Sequence, residues 1–222
     1  MFTRVTSKRN SGSIAAVVPS ATRGLGSVSG PERADARANR QRIIQAALAV
    51  LAERGAAAEI KEVAERAGVG VGTIYRNFAT KDDLLRGILD DVIEQYMAIH
   101  DRALATDDPV DGIRLYIRDM YEVIERWSPA VMAMLSGAFT EEIKQRFMAF
   151  LQDRRLEELF RRGIEAGVFR ADLPVGLARG LMVNICDPMV YLAVQGEFTR
   201  EEMTAGFTDL ILQAVLARSD EG

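Results

Sequence analysis

The segment from Ile60 to Phe78 decides the fold, and it reads IKEVAERAGVGVGTIYRNF. Its apolar residues predict two short helices, one ending before Gly68 and one that holds Ile74. Gly68 stands where the chain must turn, because glycine adopts left-handed backbone at little cost. Ala64 is small enough for the second helix to cross close above the first. This spacing predicts a helix-turn-helix.

Helices are predicted on both sides of this motif. An apolar stripe with a spacing of four residues runs from Ile43 to Leu51 and predicts a helix that stops at Gly55. After the motif, Thr80 and Asp83 form a capping-box pattern, which predicts the start of another helix. The alternative is that GVGVG is a flexible loop between two packed helices. That alternative does not explain why polar and basic residues gather around one short apolar helix.

The rest of the chain also has helical periodicity, so we expect an all-α fold of about nine helices. We expect the helix from Thr140 to end near Gly167, and the next one to run to Gly196 with a bend at Pro188. No segment alternates as a strand would. Capping residues and prolines predict helix starts at Asp108-Pro109, Ser128-Pro129, Thr140, Asp172 to Pro174, and Thr199.

Composition limits the possible functions of this 222-residue chain. It is 48% apolar and 27% charged, as a folded protein is, and its apolar runs are too short to cross a membrane. The single cysteine excludes an intramolecular disulfide and a cysteine-rich metal site, and it fits a reducing, cytoplasmic location. Since there is also only one histidine, we expect no catalytic constellation, no metal and no cofactor.

The net charge of −4 conceals a division between the two parts of the chain. Residues 1–86 carry 14 basic and 8 acidic side chains, whereas residues 87–222 carry 14 and 24. The front is therefore basic and the rear acidic. This asymmetry indicates that only the front contacts a polyanion such as DNA.

Four short stretches, RIIQAA, ERG, EVAERAGVGVGTIYRNF and KDDLL, follow one another between residues 40 and 85. This series resembles the DNA-binding domain of TetR-family repressors. The resemblance implies a helix-turn-helix domain at residues 36–82 and a helical effector-binding and dimerisation domain at residues 83–222. Residues 1–35 are predicted to be a disordered basic arm, or else the result of a start codon assigned too early.

Two positions depart from the family pattern. Glu59 stands where Thr or Ser usually caps the first helix of the motif, so we expect a weaker cap there. Asn77 stands where His is common, which keeps a hydrogen-bond donor but changes its reach. Neither change breaks the motif.

The second helix of the motif, Val71 to Phe78, corresponds by resemblance to the recognition helix. Gly70 and Gly72 lack side chains, so the start of this helix can lie deep in a major groove. Val71 and the methyl group of Thr73 could touch a thymine methyl group. The resemblance also places Thr73, Tyr75 and Asn77 near DNA.

Basic side chains supply the remaining candidate contacts. Arg76 or Lys61 could read a guanine edge, although for Arg76 a phosphate contact or exposure to solvent is the alternative. Arg37 and Arg40 would attract phosphates regardless of sequence, and by resemblance Lys81 reaches a phosphate. The predicted DNA-contacting residues are therefore Arg37, Arg40, Lys61, Gly70, Val71, Gly72, Thr73, Tyr75, Arg76, Asn77 and Lys81.

Methionine and aromatic side chains of the rear helices are the candidates for an effector pocket. Methionine adapts to irregular apolar shapes, so such a set could line a pocket for a hydrophobic molecule. For each residue taken alone, the alternative to a ligand contact is ordinary packing in the core. For the histidine, the alternative is a structural role. The predicted pocket residues are Met97, His100, Met120, Trp127, Met134, Phe139, Met182, Cys186 and Met189.

The last two predicted helices are apolar over a wide arc, so each must bury more than one side. In the family that the chain resembles, this pair forms a four-helix interface between two copies. Tight packing within one chain is the alternative. The predicted interface residues are Leu177, Leu181, Ile185, Leu192, Met203, Phe207, Leu210, Ile211 and Ala214.

Together these features predict a ligand-responsive transcriptional regulator that acts as a repressor. We expect a homodimer that binds a palindromic operator in double-stranded DNA and is released by a small apolar effector. One alternative is a helical enzyme that acts on an apolar small molecule and uses the motif as a scaffold, but no catalytic base or nucleophile is evident. The other alternative is a DNA-binding regulator that needs no ligand.

Overall fold

The computed structural model describes residues 30–135, 140–142, 145, 148 and 152–217. The all-α fold is confirmed: nine α-helices have both ends within these ranges, residues 141, 142, 145 and 148 are also helical, and an isolated bridge pairs Phe169 with Leu216. They are α1 (Gly30–Arg54), α2 (Ile60–Ala67), α3 (Val71–Asn77), α4 (Lys81–Leu104), α5 (Pro109–Leu135), α6 (Glu157–Glu165), α7 (Val175–Ile185), α8 (Pro188–Val194) and α9 (Arg200–Val215), with a 3-10 turn at Gly55–Ala57.

The chain divides into two units, Met1–Arg37 and Ala38–Gly222. In the first unit, residues 1–29 lie outside the described residues, and helix α1 begins at Gly30. The prediction that the arm extends to residue 35 is therefore wrong at its end. Residues 31–37 have no apolar period, but alanine, arginine and glutamate favour a helix without one. The predicted domain boundary at residues 82 and 83 falls in the first turn of α4 and stays a prediction.

Local signals at helix ends are confirmed where they depend on near neighbours. Gly55 and Gly68 both have positive φ angles, 55° and 66°, and end α1 and α2. The Thr80 hydroxyl accepts a hydrogen bond from the Asp83 N–H at 3.0 Å, and the Asp83 carboxylate accepts one from the Thr80 N–H at 3.1 Å. The helix predicted to begin at Thr199 has the same capping box.

The helix start predicted at Ser128-Pro129 is wrong, because α5 continues through both residues. A proline cannot donate to the carbonyl four residues earlier, which here is that of Glu125. The Ser128 hydroxyl donates to this carbonyl at 3.2 Å in its place. The Ser128 side chain thus supplies the hydrogen bond that the proline cannot make, and it does not start a new helix.

Two long helices predicted in the rear are interrupted. Residues 153 and 154 are not helical, so α6 begins at Glu157, and most of the segment from Thr140 to that point lies outside the described residues. The helix predicted to run to Gly196 breaks at Cys186 and Asp187, and its two parts, α7 and α8, differ in direction by 50°. The bend at Pro188 is confirmed, because Pro188 begins α8 and the Asp187 carboxylate accepts from the Met189 N–H at 2.7 Å.

Helix α5 is central to the second unit and packs against α4, α6, α8 and α9. Its buried side chains include Tyr116, Tyr121 and Trp127, which are among the largest in the core. Within the described ranges, no single helix is both long and apolar enough to cross a bilayer, and α7 with α8 meets that test only as a bent pair. Helix α3 directly precedes α4 in the chain, so the motif helices α2 and α3 join α4 at its N-terminal end.

Candidate nucleic-acid interface

The predicted helix-turn-helix is formed by α2, a turn at Gly68 and α3. Val63, Ala64, Ile74 and Phe78 are buried and form its inner face. The turn is closed by backbone hydrogen bonds, because the Gly68 N–H donates to the Glu65 carbonyl at 3.2 Å and the next N–H donates to the Ala64 carbonyl at 3.0 Å. Ala64 is buried where α2 packs on α3, as expected for a position that requires a small side chain.

The outer face of α3 is open to solvent. Val71 is 39% exposed and Tyr75 is 51% exposed, although both are large and apolar in part. A Cβ atom added at Gly70 or Gly72 would meet nothing within 4 Å, so no other part of the described chain covers this end of the helix. An exposed apolar patch on a short, firmly packed helix is typical of a contact surface.

The polar side chains of α3 are held by one another. Arg76 donates from Nη2 to the Thr73 hydroxyl at 2.9 Å, and Asn77 donates from Nδ2 to the Thr73 carbonyl at 2.8 Å. A guanidinium has five donors, so Arg76 keeps others for a DNA base or phosphate. Thr73 and Arg76 therefore form one unit of the outer face.

The other basic candidates differ in their surroundings. Arg40 lies 4.4 Å above the centre of the Phe78 ring, which joins α1 to the end of α3 through a cation–π contact. Lys61 is exposed and only 3.9 Å from Glu65, whereas Arg37 is exposed on α1 in the other unit. Lys81 is half-buried, and its ammonium donates to two backbone carbonyls.

Ion pairs fasten α2 to α1, and the sequence did not indicate them. Arg66 makes two hydrogen bonds to the Glu53 carboxylate, at 2.7 and 3.0 Å, and Arg54 donates to Glu62 at 3.1 Å. The carboxylate of Glu62 also accepts a hydrogen bond from the Glu59 N–H at 3.1 Å. A side chain therefore satisfies the backbone N–H of the cap residue of α2, although this residue is Glu and not the usual Thr or Ser.

A hydrogen-bond network in the middle of α4 was also missed. The Asp91 carboxylate accepts a hydrogen bond from Gln41 of α1. It accepts another, at 2.8 Å, from Gln95, which lies one turn further along α4. Gln95 in turn accepts from Arg126 of α5 at 3.4 Å. Asp91 thus connects the first helix of the front to the central helix of the rear.

The predicted effector-pocket residues are mostly in the core. Met97 is half-buried, and the side chains of Met134 and Phe139 lie outside the described residues. Met189 is exposed on α8, apart from the buried members, and its place in the pocket stays a prediction. The Trp127 indole N–H has no acceptor among the described residues. The buried members are His100, Met120, Trp127, Met182 and Cys186.

The two side chains in this region that could take part in catalysis, Cys186 and His100, are not arranged for it. Burial raises the pKa of the Cys186 thiol, which keeps it protonated and unreactive. Burial lowers the pKa of His100, although its Nδ1 atom lies 3.4 Å from the Asp153 carboxylate. Burial also raises the pKa of Asp153, but hydrogen bonds from Arg155 outweigh this effect and lower it overall. Within the described ranges, no three His, Cys, Asp or Glu side chains are grouped to hold a metal ion.

An exposed apolar face lies on α7 and α9, which pack side by side. Leu177 is 74% exposed and Leu210 is 59% exposed. Leu181 and Ala214 are exposed as well, while Leu192 and Phe207 are half-buried. We call Leu177, Leu181, Leu210, Ala214 and the exposed Phe198, which was not predicted, the α7–α9 face.

Three residues predicted for the dimer interface lie instead in the core. Ile185, Met203 and Ile211 are buried within one chain, so their side chains leave little surface for the predicted contact with a second copy. They occupy the inner sides of α7 and α9, since these helices also pack on α5 or on each other. An apolar groove of about 180 Å³ beside the exposed face is lined by Phe198, Phe207 and Leu210, among others.

Comparison with known proteins agrees with this geometry. The model of the tetR family of bacterial regulatory proteins matches residues 43–88. The HTH-type transcriptional repressor KstR2 of Mycobacterium tuberculosis (strain H37Rv) is 32% identical over 149 residues, which cover 62% of this chain and 72% of KstR2.

Solved structures share the fold. The TetR family transcriptional regulator PfmR from Thermus thermophilus is 25% identical, with a TM-score of 0.61 over 81% of this chain and 98% of PfmR. FadR from Bacillus subtilis, solved in complex with stearoyl-CoA, is 20% identical, with a TM-score of 0.64 over 78% of this chain and 98% of FadR.

Proposed function

The chain belongs to the tetR family of bacterial regulatory proteins, and from this premise we propose that it is a repressor that binds a palindromic operator as a homodimer and is released by a small apolar effector. The proteins it matches are regulators of transcription, and this chain is likewise a regulator and not an enzyme. The interpretation of the motif as a scaffold for catalysis is therefore set aside.

The exposed outer face of α3 is the observation that carries the proposal. Val71 and Tyr75 are exposed beside two glycines that leave the start of the helix uncovered. A helix of this kind fits a major groove, where apolar groups can meet thymine methyl groups and arginine can meet guanine. The basic front supplies attraction to phosphates that does not depend on sequence.

The α7–α9 face supports a homodimer as the binding form. Its leucines and Phe198 are exposed in one chain, and a second copy related by two-fold symmetry would cover the same residues on both. Such a dimer would carry two α3 helices, which suits half-sites about 34 Å apart in successive major grooves.

The buried methionines and aromatic residues around α5 support an apolar effector. Met120 and Trp127 of α5 and Met182 of α7 lie in one buried cluster to which α4 also contributes, so a ligand entering it would move α4. FadR, which has this fold, was solved with stearoyl-CoA, a ligand with a long apolar chain. The effector proposed for this chain is of the same broad kind, a largely apolar small molecule. The proposed location is the cytoplasm, where operator DNA lies.

Binding to DNA from directly upstream of the coding region tests the proposal. We expect nanomolar binding of the full chain to an inverted repeat there, measured by fluorescence anisotropy, and weaker binding to shuffled DNA. Arg76→Ala should weaken binding at least about tenfold. Arg118→Ala removes a similarly exposed arginine, one paired with Asp119 on α5, and should leave binding unchanged.

A panel of apolar compounds, including long-chain acyl thioesters, tests the effector. Release of operator by one compound, together with a higher melting temperature, is the expected result. Normal operator binding with no response to any compound would favour a regulator that needs no ligand. Equal affinity for operator and shuffled DNA would refute sequence-specific repression itself.

A further inference from the structure

Lys81 has contacts that differ from those of an ordinary surface lysine. It is the first residue of α4, and its ammonium donates to the Ala58 carbonyl at 2.6 Å and to the Ala56 carbonyl at 3.1 Å. Both acceptors belong to the short turn between α1 and α2. Two of the three ammonium donors are therefore used within the protein.

The positions of these partners in the chain give the contact its significance. Ala58 directly precedes the reading unit, which we define as residues 59–80 and which contains α2 and α3. Lys81 directly follows it. One ammonium thus ties the entry of the reading unit to its exit, across 23 residues of chain.

The helix itself does not favour a lysine at this position. The first turn of a helix carries a partial positive charge, so a cation there is unfavourable, and acidic residues are preferred. Asp82 and Asp83 meet that preference in the same turn. The carbonyls of Ala56 and Ala58 provide the compensating interaction for Lys81, because hydrogen bonds from a charged donor are strong.

We infer that Lys81 is a positioning residue that clasps the two ends of the reading unit and fixes the angle of α3 relative to α1 and α4. The sequence predicts a phosphate contact for Lys81, and the clasp replaces that role. Arg40 of α1 stacks on Phe78, which directly follows α3, and so also holds the reading unit. The effect on DNA binding rests on the proposed function, but the clasp itself does not.

Chemical labelling of the DNA-free protein tests the clasp directly. The chain is acetylated with a water-soluble acetylating reagent that reacts with amines. Mass spectrometry then gives the rate of acetylation at each lysine of the wild-type chain. Lys61 is exposed and has no carbonyl partner among the described residues, so it is the internal reference. We expect Lys81 to react at least about tenfold more slowly than Lys61. Equal rates would overturn the clasp.

The salt dependence of DNA binding separates positioning from phosphate contact. A lysine that neutralises one phosphate contributes about 0.9 to the slope of log affinity against log salt. We expect Lys81→Met to leave this slope unchanged and to lower operator affinity about tenfold or more, with little loss on random DNA. Lys81→Arg, which keeps charged donors, should recover part of the operator affinity.

Each other outcome contradicts the inference in a recognisable way. A slope that falls by about 0.9, with equal losses on operator and random DNA, would make Lys81 a phosphate contact. A lower melting temperature with an unchanged ratio of operator to random affinity would make its role merely structural. If Lys81→Met does not fold, the labelling rates of the wild-type chain decide. If the wild-type chain binds no operator, the proposed function fails, while the labelling result still confirms or overturns the clasp.

Discussion

Two adjacent residues of α9, Leu210 and Ile211, give the sharpest test of how this chain associates. Leu210 is 59% exposed on the α7–α9 face, whereas Ile211 is 0% exposed in the core of a single chain. We expect Leu210→Glu to give a folded monomer. Ile211→Glu should prevent folding, because the same charge would then lie in the apolar interior.

The size of the effect follows from the exposed area. Fully burying a leucine stabilises by about 1.5–3 kcal/mol, so the exposed part of Leu210 has about 1–2 kcal/mol left to contribute. A two-fold interface contains the residue twice, which doubles the loss. The doubled loss of about 2–4 kcal/mol should therefore raise the dissociation constant of the dimer by about 30- to 700-fold. For Ile211→Glu, burial of an unpaired carboxylate costs an amount comparable to the whole stability of a domain, about 5–15 kcal/mol.

Sedimentation velocity over a range of concentrations, with circular dichroism for helix content, measures both effects. Tyr75→Glu places the same charge on the exposed face of α3 and should leave the dimer intact. Loss of dimer in Leu210→Glu should also abolish operator binding at nanomolar concentration. A wild-type chain that is monomeric at micromolar concentration, or a Leu210→Glu variant that stays dimeric, would refute the reasoning.

Three further predictions test the packing. Gly87→Ala places a methyl group 2.6 Å from the Phe78 ring and should weaken operator binding. Gly112→Ala places one equally close to Leu159 and should leave operator binding unchanged. In denaturant titration, both variants should lose about 1 kcal/mol of the free energy of unfolding. Ser128→Ala removes the donor to the Glu125 carbonyl and should lower the free energy of unfolding by about 1–2 kcal/mol in the same assay. His100 is the only histidine, and its pKa is lowered by burial, so the unfolded chain binds more protons. Stability should therefore be full above about pH 6.5 and fall below it, and His100→Gln should remove this fall; an unchanged pH profile would contradict it.

Helix ends were predictable where the signal and its partner lie within one turn. Thr80 finds Asp83 three residues away, and Gly68 needs only its own backbone freedom, so neither depends on the rest of the chain. Asp108-Pro109 and Ser128-Pro129 show the limit of such rules. The Asp108 carboxylate accepts the Val110 N–H and starts α5, but the Ser128 hydroxyl donates backward to Glu125 and continues it. A hydroxyl can do either, and only the packing around it decides.

Which face of an apolar helix is inside could not be predicted from the sequence. The wide apolar arc of α9 predicts that more than one side is buried, but it does not say which side faces the core of the chain, because the rotation of the helix is set by its contact with α5. That rotation places Ile211 inside and Leu210 outside. The partners of Lys81 and Asp91 were equally hidden, because they are far away in the sequence: Ala58 is 23 residues from Lys81, and Gln41 is 50 residues from Asp91.

These distant partners determine how a change in the rear could reach α3. Asp91 ties Gln41 of α1 to α4, and the proposed Lys81 clasp ties the reading unit to the start of α4, so a movement of α4 would be passed on to α3. The 24 residues of α4 span about 36 Å. A tilt of about 5° at its rear end therefore moves its front end by about 3 Å. In the proposed dimer this shift occurs in both copies, which is enough to take two α3 helices out of register with half-sites about 34 Å apart. In the repressor that we propose, a small effector in the core around Trp127 would therefore need to move only one helix to release DNA.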